Sequence, residues 1–244
     1  MIEIKNLKKS FGKNKVLDGV NLKITDGETL VIIGRSGCGK SVLLKHIIGL
    51  LKPDEGEVLI EGKNIVTMGE KELYAVRKKF GFLFQGAALF DSMSVGENVG
   101  LFLKENTSMS PDEIEKVIEE KLDIVGLKKI EHMMPADLSG GMKKRVSLAR
   151  SLASDPEYIL YDEPTTGLDP VMSDQIDDLI KDLAEKLKVT SIVVTHDIFS
   201  VYDVADRVAM MHEGKIYFEG TPQELTDSKD ELIRNFLHRT KKTL

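Results

Sequence analysis

Apolar residues along this chain fall into short β-branched runs that alternate with segments of helical spacing. Runs bounded by Gly, Pro or charged turns predict strands, and apolar residues three or four positions apart predict helices. The predicted strands are 2–7, 16–24, 30–33, 57–60, 80–84, 158–161 and 191–194, with a hairpin of 208–211 and 215–218. The predicted helices begin at Val42 and Thr221 and otherwise cover 70–79, 111–125, 142–152, 170–188, 198–205 and a final amphipathic segment from about 229. Asp169 is predicted to cap the helix 170–188.

The pattern changes character after Gln85. Residues 86–156 are mostly of helical spacing and contain no convincing strand. Within them, Ser110 followed by a proline and by Glu113 has the form of a helix start with a capping box. The hydrophobic pattern therefore predicts an α/β core that is interrupted by a helical insertion at 86–156.

Composition narrows the class of protein. A chain of 244 residues can form one large α/β domain with a sizeable core. The formal net charge of −6 argues against nucleic acid as a partner. The single cysteine excludes an internal disulfide framework, and the chain has neither a signal-peptide pattern at Met1 nor an apolar run of about 18 residues. We expect a cytosolic chain that needs a partner to work at a membrane.

The strongest motif is the segment 34–41, Gly-Arg-Ser-Gly-Cys-Gly-Lys-Ser, which matches G-x-x-x-x-G-K-[ST] at every fixed position. Glycines allow backbone N–H groups to wrap a phosphate, and the following helix adds its positive end. In this pattern Lys40 reaches the β- and γ-phosphates and Ser41 ligates Mg²⁺. An accidental glycine-rich loop is the alternative, but the strand before it and the helix after it favour a phosphate site.

Cys38 lies inside this loop. The helix N-terminus and Lys40 predict a lowered thiol pKa and raised reactivity. The alternative is a small, buried and inert side chain at a variable position.

Two carboxylates follow the apolar run 158–161. In a parallel sheet the carboxyl end of this strand lies at the same edge as the phosphate loop. Asp162 is then placed to bind Mg²⁺, directly or through water, and Glu163 to orient and deprotonate the attacking water. The alternative is a pair of solvated carboxylates at a strand end.

A third segment, 138–142 (Leu-Ser-Gly-Gly-Met), precedes a helix and forms a second candidate anion site. Its position 23 residues before Asp162 makes the chain resemble, over nearly its whole length, the ATP-binding cassette (ABC) ATPases of ABC transporters. The resemblance implies that Ser139, Gly140 and Gly141 complete the ATP site of a second cassette in a homodimer.

Further positions match the family. The resemblance implies that Gln85 contacts Mg²⁺ and the attacking water, that Asp169 contacts the partner cassette, and that His196 contacts the γ-phosphate. It implies that Phe11, with Val16 beside it, stacks on adenine, whereas a core position in the hairpin is the alternative for Phe11. The remaining ATP contacts implied are Gly34, Arg35, Ser36, Gly37, Cys38, Gly39, Lys40, Ser41 and Val42.

The resemblance also implies a fold and a domain organisation. The expected fold is α/β, a P-loop NTPase (RecA-like) core with an N-terminal antiparallel β subdomain and a helical subdomain insertion. In one ABC ATPase domain, 1–244, residues 1–85 and 157–220 would form the core, 86–156 the helical signature subdomain and 221–244 a C-terminal helical tail.

The chain departs from the family at Met142, where the signature usually ends in Gln. With the segment 84–95, which lacks the second Gln and the Pro of amino-acid importers, this resembles the ATPases of Mla/Mce-type phospholipid transport systems. The implied partners are transmembrane permease subunits, which would hold the chain on the inner face of the cell membrane, and a substrate-binding Mce-type protein.

Three alternatives remain open from the sequence. The chain resembles, less closely, the ATPase of a polar amino-acid or other small-solute importer. A soluble ABC ATPase acting on DNA or ribosomes would carry a long coiled-coil insertion or a second cassette, which this chain lacks. A regulatory cassette that only binds nucleotide typically loses the equivalent of Glu163 or His196, and both are present.

Overall fold

The computed structural model describes residues 1–241, so the last three residues of the predicted tail 221–244 lie outside the described residues. The described strands are β1 (Ile2–Phe11), β2 (Asn14–Ile24), β3 (Thr29–Gly34), β4 (Glu55–Ile60), β5 (Lys63–Asn64), β6 (Phe80–Leu83), β7 (Tyr158–Asp162), β8 (Thr190–Val194), β9 (Arg207–His212) and β10 (Lys215–Gly220). The helices are α1 (Lys40–Ile47), α2 (Glu70–Arg77), α3 (Val95–Asn106), α4 (Pro111–Ile124), α5 (Gly140–Leu152), α6 (Pro170–Leu187), α7 (Ile198–Val204), α8 (Pro222–Asp227) and α9 (Glu231–Lys241).

The strands form two sheets. An antiparallel sheet has the order β2-β1-β4-β5, and a six-stranded sheet has the order β10-β9-β3-β8-β7-β6. In the larger sheet β10 pairs antiparallel with β9, and the other neighbours are parallel. The parallel strands bring the carboxyl ends of β3, β7 and β8 to one edge.

Strand β3 explains where the core lies. Every residue of Leu30–Ile33 is fully buried, as expected of a strand covered on both faces. Val31 and Ile33 pack in a cluster with the helices α3 to α7, whereas Leu30 and Ile32 pack with α1 and the antiparallel sheet. Because side chains alternate between the two faces of a strand, β3 packs against the helices on one face and against α1 and the antiparallel sheet on the other. The phosphate loop follows this central strand.

The region 86–156 contains helices and no strand among its residues, as the hydrophobic pattern predicted. Ser110 and Glu113 form the predicted capping box at the start of α4, and Gly126, with φ 72°, follows its end. Ser94 and Glu97 form a second capping box that begins α3, a helix whose bounds the hydrophobic pattern did not predict. No helix among residues 1–241 is long and apolar enough to cross a membrane.

Several predicted boundaries were wrong by a few residues. β1 continues to Phe11 instead of ending at residue 7, because its distal half pairs with the start of β2. α1 begins at Lys40, two residues before the predicted start. β6 ends at Leu83 rather than at residue 84, and α2 ends at Arg77 rather than at residue 79.

Candidate functional site

The loop between β3 and α1 has the backbone of a phosphate cradle. Gly34, Gly37 and Gly39 have φ values of 153°, 80° and 108°, in the region that side chains disfavour. At Gly34 a Cβ atom would lie 2.6 Å from the Met211 carbonyl oxygen and 2.7 Å from the Cys38 sulfur. Only glycine fits there, and the loop leads directly into the N-terminus of α1, where anions bind.

Lys40 is folded over this loop. Its residue is only 6% exposed, and its Nζ donates to the Gly34 carbonyl at 2.9 Å. The same Nζ lies 3.6 Å from Glu163 Oε1, at the end of β7. One ammonium group therefore stands between the phosphate loop and the carboxylates of the neighbouring strand.

Ser41 and Asp162 are directly bonded. Ser41 Oγ donates to Asp162 Oδ1 at 2.7 Å, although the two residues are 121 positions apart in the chain. This confirms that the carboxyl end of β7 lies beside the phosphate loop. The pair offers a hydroxyl and a carboxylate oxygen, the hard ligands that Mg²⁺ prefers.

Glu163 is held in an unusual conformation. Its φ is 52°, and its backbone N–H donates to the Val194 carbonyl at 2.8 Å. Its Oε2 accepts a hydrogen bond from Thr166 Oγ1 at 3.1 Å and lies 2.7 Å from His196 Nδ1. Left-handed backbone at a non-glycine residue is a strain that often marks functional positions.

Lys40, Ser41 and Glu163 line a cavity of about 510 Å³. Phe11 at its edge is 48% exposed, which rules out the alternative that it is a core residue of the hairpin. The cavity lining contains Phe11, Val16, Ser36, Gly37, Gly39, Lys40, Ser41, Val42, Gln85, Glu163 and His196. Most of the predicted ATP-site residues therefore come together in a single chain.

Gly34 and Arg35 line a neighbouring cavity of about 780 Å³, beneath α9. Ser36 and His196 line both cavities, so the phosphate loop separates the two.

The signature residues lie elsewhere. Ser139, Gly140 and Gly141 are not among the described residues that line the cavity around Lys40. Ser139 is exposed and caps α5 by accepting from the Met142 N–H at 3.2 Å. Asp169 caps α6, as predicted, by accepting from the Met172 N–H at 3.0 Å.

The prediction of an acidic Cys38 thiol was wrong. Burial raises the pKa of this thiol, and this outweighs the opposing effect of the Lys40 charge. The sequence placed the residue in the loop correctly but could not show that its sulfur lies beside Gly34 and that the side chain packs against a cluster of buried apolar residues. The structure therefore favours the alternative, a small and poorly reactive side chain.

The sequence patterns did not predict two residues that contact the site directly. Thr166 contacts the Glu163 carboxylate, and Lys144, 5% exposed, donates to the carbonyls of Gln85 and, at 3.3 Å, of Glu163. Burial lowers the pKa of Lys144, and the charges of Asp162 and Glu163 oppose that effect. Local spacing gave no signal for either contact, since both depend on how distant segments pack.

Comparison with known proteins identifies the class. Residues 17–166 match the family described as ABC transporter. The match covers more than half of the chain, and the chain therefore belongs to the ABC transporter family. It is an ATP-binding cassette that hydrolyses ATP, with the predicted α/β P-loop fold.

The curated relatives include the ATP-binding protein of a phospholipid transport system. The chain is 44% identical to the protein TRIGALACTOSYLDIACYLGLYCEROL 3, chloroplastic, of Arabidopsis thaliana, over 97% of this chain and 73% of that protein. It is 42% identical to the intermembrane phospholipid transport system ATP-binding protein MlaF of Haemophilus influenzae, over 97% of this chain and 90% of MlaF. It is also 42% identical to the "Probable ribonucleotide transport ATP-binding protein mkl" of Mycobacterium leprae, over 97% of this chain and 68% of mkl.

Solved structures of cassettes share the fold. One is a dimeric, post-hydrolysis state of the ATP-binding cassette MJ0796 bound to ADP and Pi, with a TM-score of 0.83, 36% identity, and coverage of 91% of this chain and 99% of that chain. Another is cbiO1 from Clostridium perfringens, part of the ABC transporter complex cbiONQ, with a TM-score of 0.85, 33% identity, and coverage of 99% and 96%.

Proposed function

We propose that this cassette is the ATPase subunit of a phospholipid transporter of the Mla/Mce type. The observation that carries the proposal is the 42% identity to MlaF over 97% of the chain, together with an ATP site whose predicted residues converge. The methionine at position 142 and the segment 84–95 support the same subfamily.

The proposed chemistry assigns a role to each side chain. Phe11 and Val16 hold the adenine, and the loop 34–42 holds the phosphates. The Lys40 ammonium offsets part of the negative charge of the phosphates. Glu163 orients a water and takes its proton while the water oxygen bonds to the γ-phosphorus and the bond to the bridging oxygen breaks. His196, 2.7 Å from Glu163, fixes that carboxylate and contacts the γ-phosphate.

Mg²⁺ is part of this proposal. The described residues contain no cluster of three His, Cys, Asp or Glu side chains able to hold a metal alone. The Ser41–Asp162 pair nevertheless suits Mg²⁺, which binds through one or two protein oxygens together with substrate phosphates and water. Ser41, Asp162 and Gln85 would hold the ion, which would offset phosphate charge.

We propose that two cassettes share two ATP molecules. Ser139 and Gly140 are exposed at the start of α5, where the helix N-terminus favours an anion, yet they lie outside their own chain's ATP cavity. A second cassette would bring its phosphates to them, and Asp169 would contact that partner. The dimeric state of MJ0796 supports this arrangement.

A third cavity supports a permease partner. It measures about 710 Å³ and lies between α2, β6, α3 and α5. Its walls combine aromatic rings with cations, since Lys78 Nζ lies 5.0 Å from the Tyr74 ring centre and Arg150 lies 6.0 Å from the Phe90 ring centre. We propose that the permease subunits dock here and hold the cassette at the inner face of the cell membrane, with an Mce-type protein as substrate-binding partner.

The proposed division of the chain follows from these sites. Residues 1–85 and 157–220 would form the nucleotide-binding core, 86–156 the helical signature subdomain and 221–244 the C-terminal tail. ATP-driven closure of the dimer would move the helical subdomain, and with it the docked permease.

The experiment that tests the substrate uses the complex. The chain is purified with its co-expressed membrane subunits, its bound lipids are identified by mass spectrometry, and the complex is reconstituted into liposomes. We expect ATP-dependent movement of a fluorescent phospholipid, and none with Glu163→Gln. Absence of phospholipid movement, with ATP-dependent uptake of an amino acid or a ribonucleotide instead, would overturn the phospholipid assignment.

A further inference from the structure

Two alanines after Gln85 have strained backbone. Ala87 and Ala88 have φ values of 61° and 51°, in the left-handed region that costs free energy for any residue with a side chain. Two such residues in succession persist only where surrounding contacts hold them. The strained pair directly follows Gly86, so the position of Gln85 depends on what holds this segment.

Helix α5 supplies the contacts. Lys144 Nζ donates to the Gln85 carbonyl, Ser147 Oγ donates to the Ala87 carbonyl at 2.7 Å, and the Arg150 guanidinium donates to the carbonyls of Ala88 at 2.7 Å and Ala87 at 3.1 Å. The three donors are spaced three residues apart and therefore lie on successive turns of one helix face.

We propose that Lys144, Ser147 and Arg150, which we call the α5 clamp, are positioning residues that hold Gln85 at the ATP site. The proposal rests on the proposed role of Gln85 in contacting Mg²⁺ and the attacking water. The clamp lies on the helix that Ser139 caps, so movement of the signature segment is transmitted to the backbone of Gln85. Without the clamp, Ala87 and Ala88 relax to negative φ and Gln85 leaves the cavity.

Lys144 connects the clamp to the other catalytic segment. It is 5% exposed, and its ammonium also donates to the Glu163 carbonyl at 3.3 Å. A buried ammonium is costly unless acceptors surround it, and an apolar side chain of similar length would pack without that cost. Because Lys144 donates to both carbonyls, it fixes the Gln85 backbone relative to the Glu163 backbone.

The test combines removal of a donor with relief of the strain. Ser147→Ala is expected to lower kcat for ATP hydrolysis by about tenfold, the scale of one buried hydrogen bond, with KM for ATP unchanged because the loop 34–41 is intact. Adding Ala88→Gly, which removes an exposed methyl and permits positive φ without strain, is expected to restore kcat to within about threefold of the unsubstituted chain.

The matched control is Ala75→Gly, at an exposed alanine of α2 that is not among the residues with positive φ, so glycine relieves no strain there. If Ser147 served stability alone, Ser147→Ala would lower the unfolding temperature, and adding Ala88→Gly would not restore kcat. The proposal would be overturned if Ser147→Ala had the same kcat as the unsubstituted chain. It would also be overturned if the two glycine substitutions changed the kcat of Ser147→Ala equally. Neither outcome tests the proposed phospholipid substrate, because the assay measures ATP hydrolysis by the full chain and not transport.

Substitutions of Lys144 test the proposal independently of Ser147. Lys144→Met is expected to lower kcat by at least about tenfold, and Lys144→Arg, which keeps charged donors, to recover part of it. Equal kcat in the two variants would count against a positioning role for Lys144.

Discussion

His196 Nδ1 lies 2.7 Å from Glu163 Oε2, although 33 residues separate them in the chain. The Glu163 side chain is 12% exposed and the His196 side chain 57% exposed. The carboxylate therefore sits at the bottom of the site, and the imidazole covers it from the solvent side. Their contact joins the ends of β7 and β8, which are neighbours in the sheet.

Replacing Glu163 with Gln tests the proposed base. The amide keeps the shape of the side chain but takes up no proton, so we expect hydrolysis to fall by about 10²–10⁴ while ATP binding is retained. The variant should form an ATP-dependent dimer, measured by size-exclusion chromatography. Glu157→Gln, at an exposed carboxylate near the other end of β7, is the control. Turnover close to that of the control would remove Glu163 from the mechanism.

Mixing two inactive variants tests the shared site. Lys40→Ala and Ser139→Ala are each expected to abolish hydrolysis, because each damages both composite sites of a homodimer. A mixed dimer holds one site with both changes and one site with neither. Hydrolysis by the mixture should therefore recover part of the activity of the unsubstituted chain, and activity should rise faster than linearly with protein concentration. A demonstrated mixed dimer without activity, together with strictly linear activity, would contradict sharing.

Cys38 should react slowly with alkylating reagents. Because burial raises the pKa of its thiol, less thiolate is present at pH 7 than in an ordinary cysteine, and the labelling rate should increase on raising the pH. The chain has no other cysteine, so labelling can be followed by mass spectrometry of the whole protein. The chain unfolded in urea serves as the control. Faster labelling of the folded than of the unfolded chain at pH 7 would contradict the buried-thiol description.

Asp177 should make stability depend on pH. It is 3% exposed, and burial raises the pKa of its carboxyl to about 7, against the opposing hydrogen bond from Ser200 Oγ at 2.6 Å. The folded state holds this proton more tightly than the unfolded state, so the stability that it contributes is lost as the pH rises towards 7. Asp177→Asn removes the titration. Relative to the unsubstituted chain, its free energy of unfolding should increase by about 3 kcal/mol between pH 5 and pH 8.

Urea unfolding at both pH values checks this expectation. Asp178→Asn, an exposed carboxylate on the same helix, controls for the loss of one negative charge. A free-energy difference between Asp177→Asn and the unsubstituted chain that is the same at both pH values would show that Asp177 does not titrate in this range.

Features that follow local rules could be predicted from the sequence. The spacing of Gly34, Lys40 and Ser41 defines a phosphate loop because backbone conformation and helix start are set by near neighbours. Asp169 was correctly predicted as a helix cap, since a cap bonds within three residues. The run 158–161 was predicted as a strand because its apolar residues are consecutive, and the parallel arrangement then predicted where Asp162 would lie.

Features that depend on contacts between distant segments could be read only from the folded chain. The pKa of Cys38 is raised because of what packs around it, and the sign of that shift could not be obtained from its neighbours in sequence. Lys144 lies in the signature helix, but its acceptors are 59 and 19 residues away. Burial and long-range hydrogen bonds form only when helix α5 packs against the segment that follows Gln85, and this packing is a property of the whole fold.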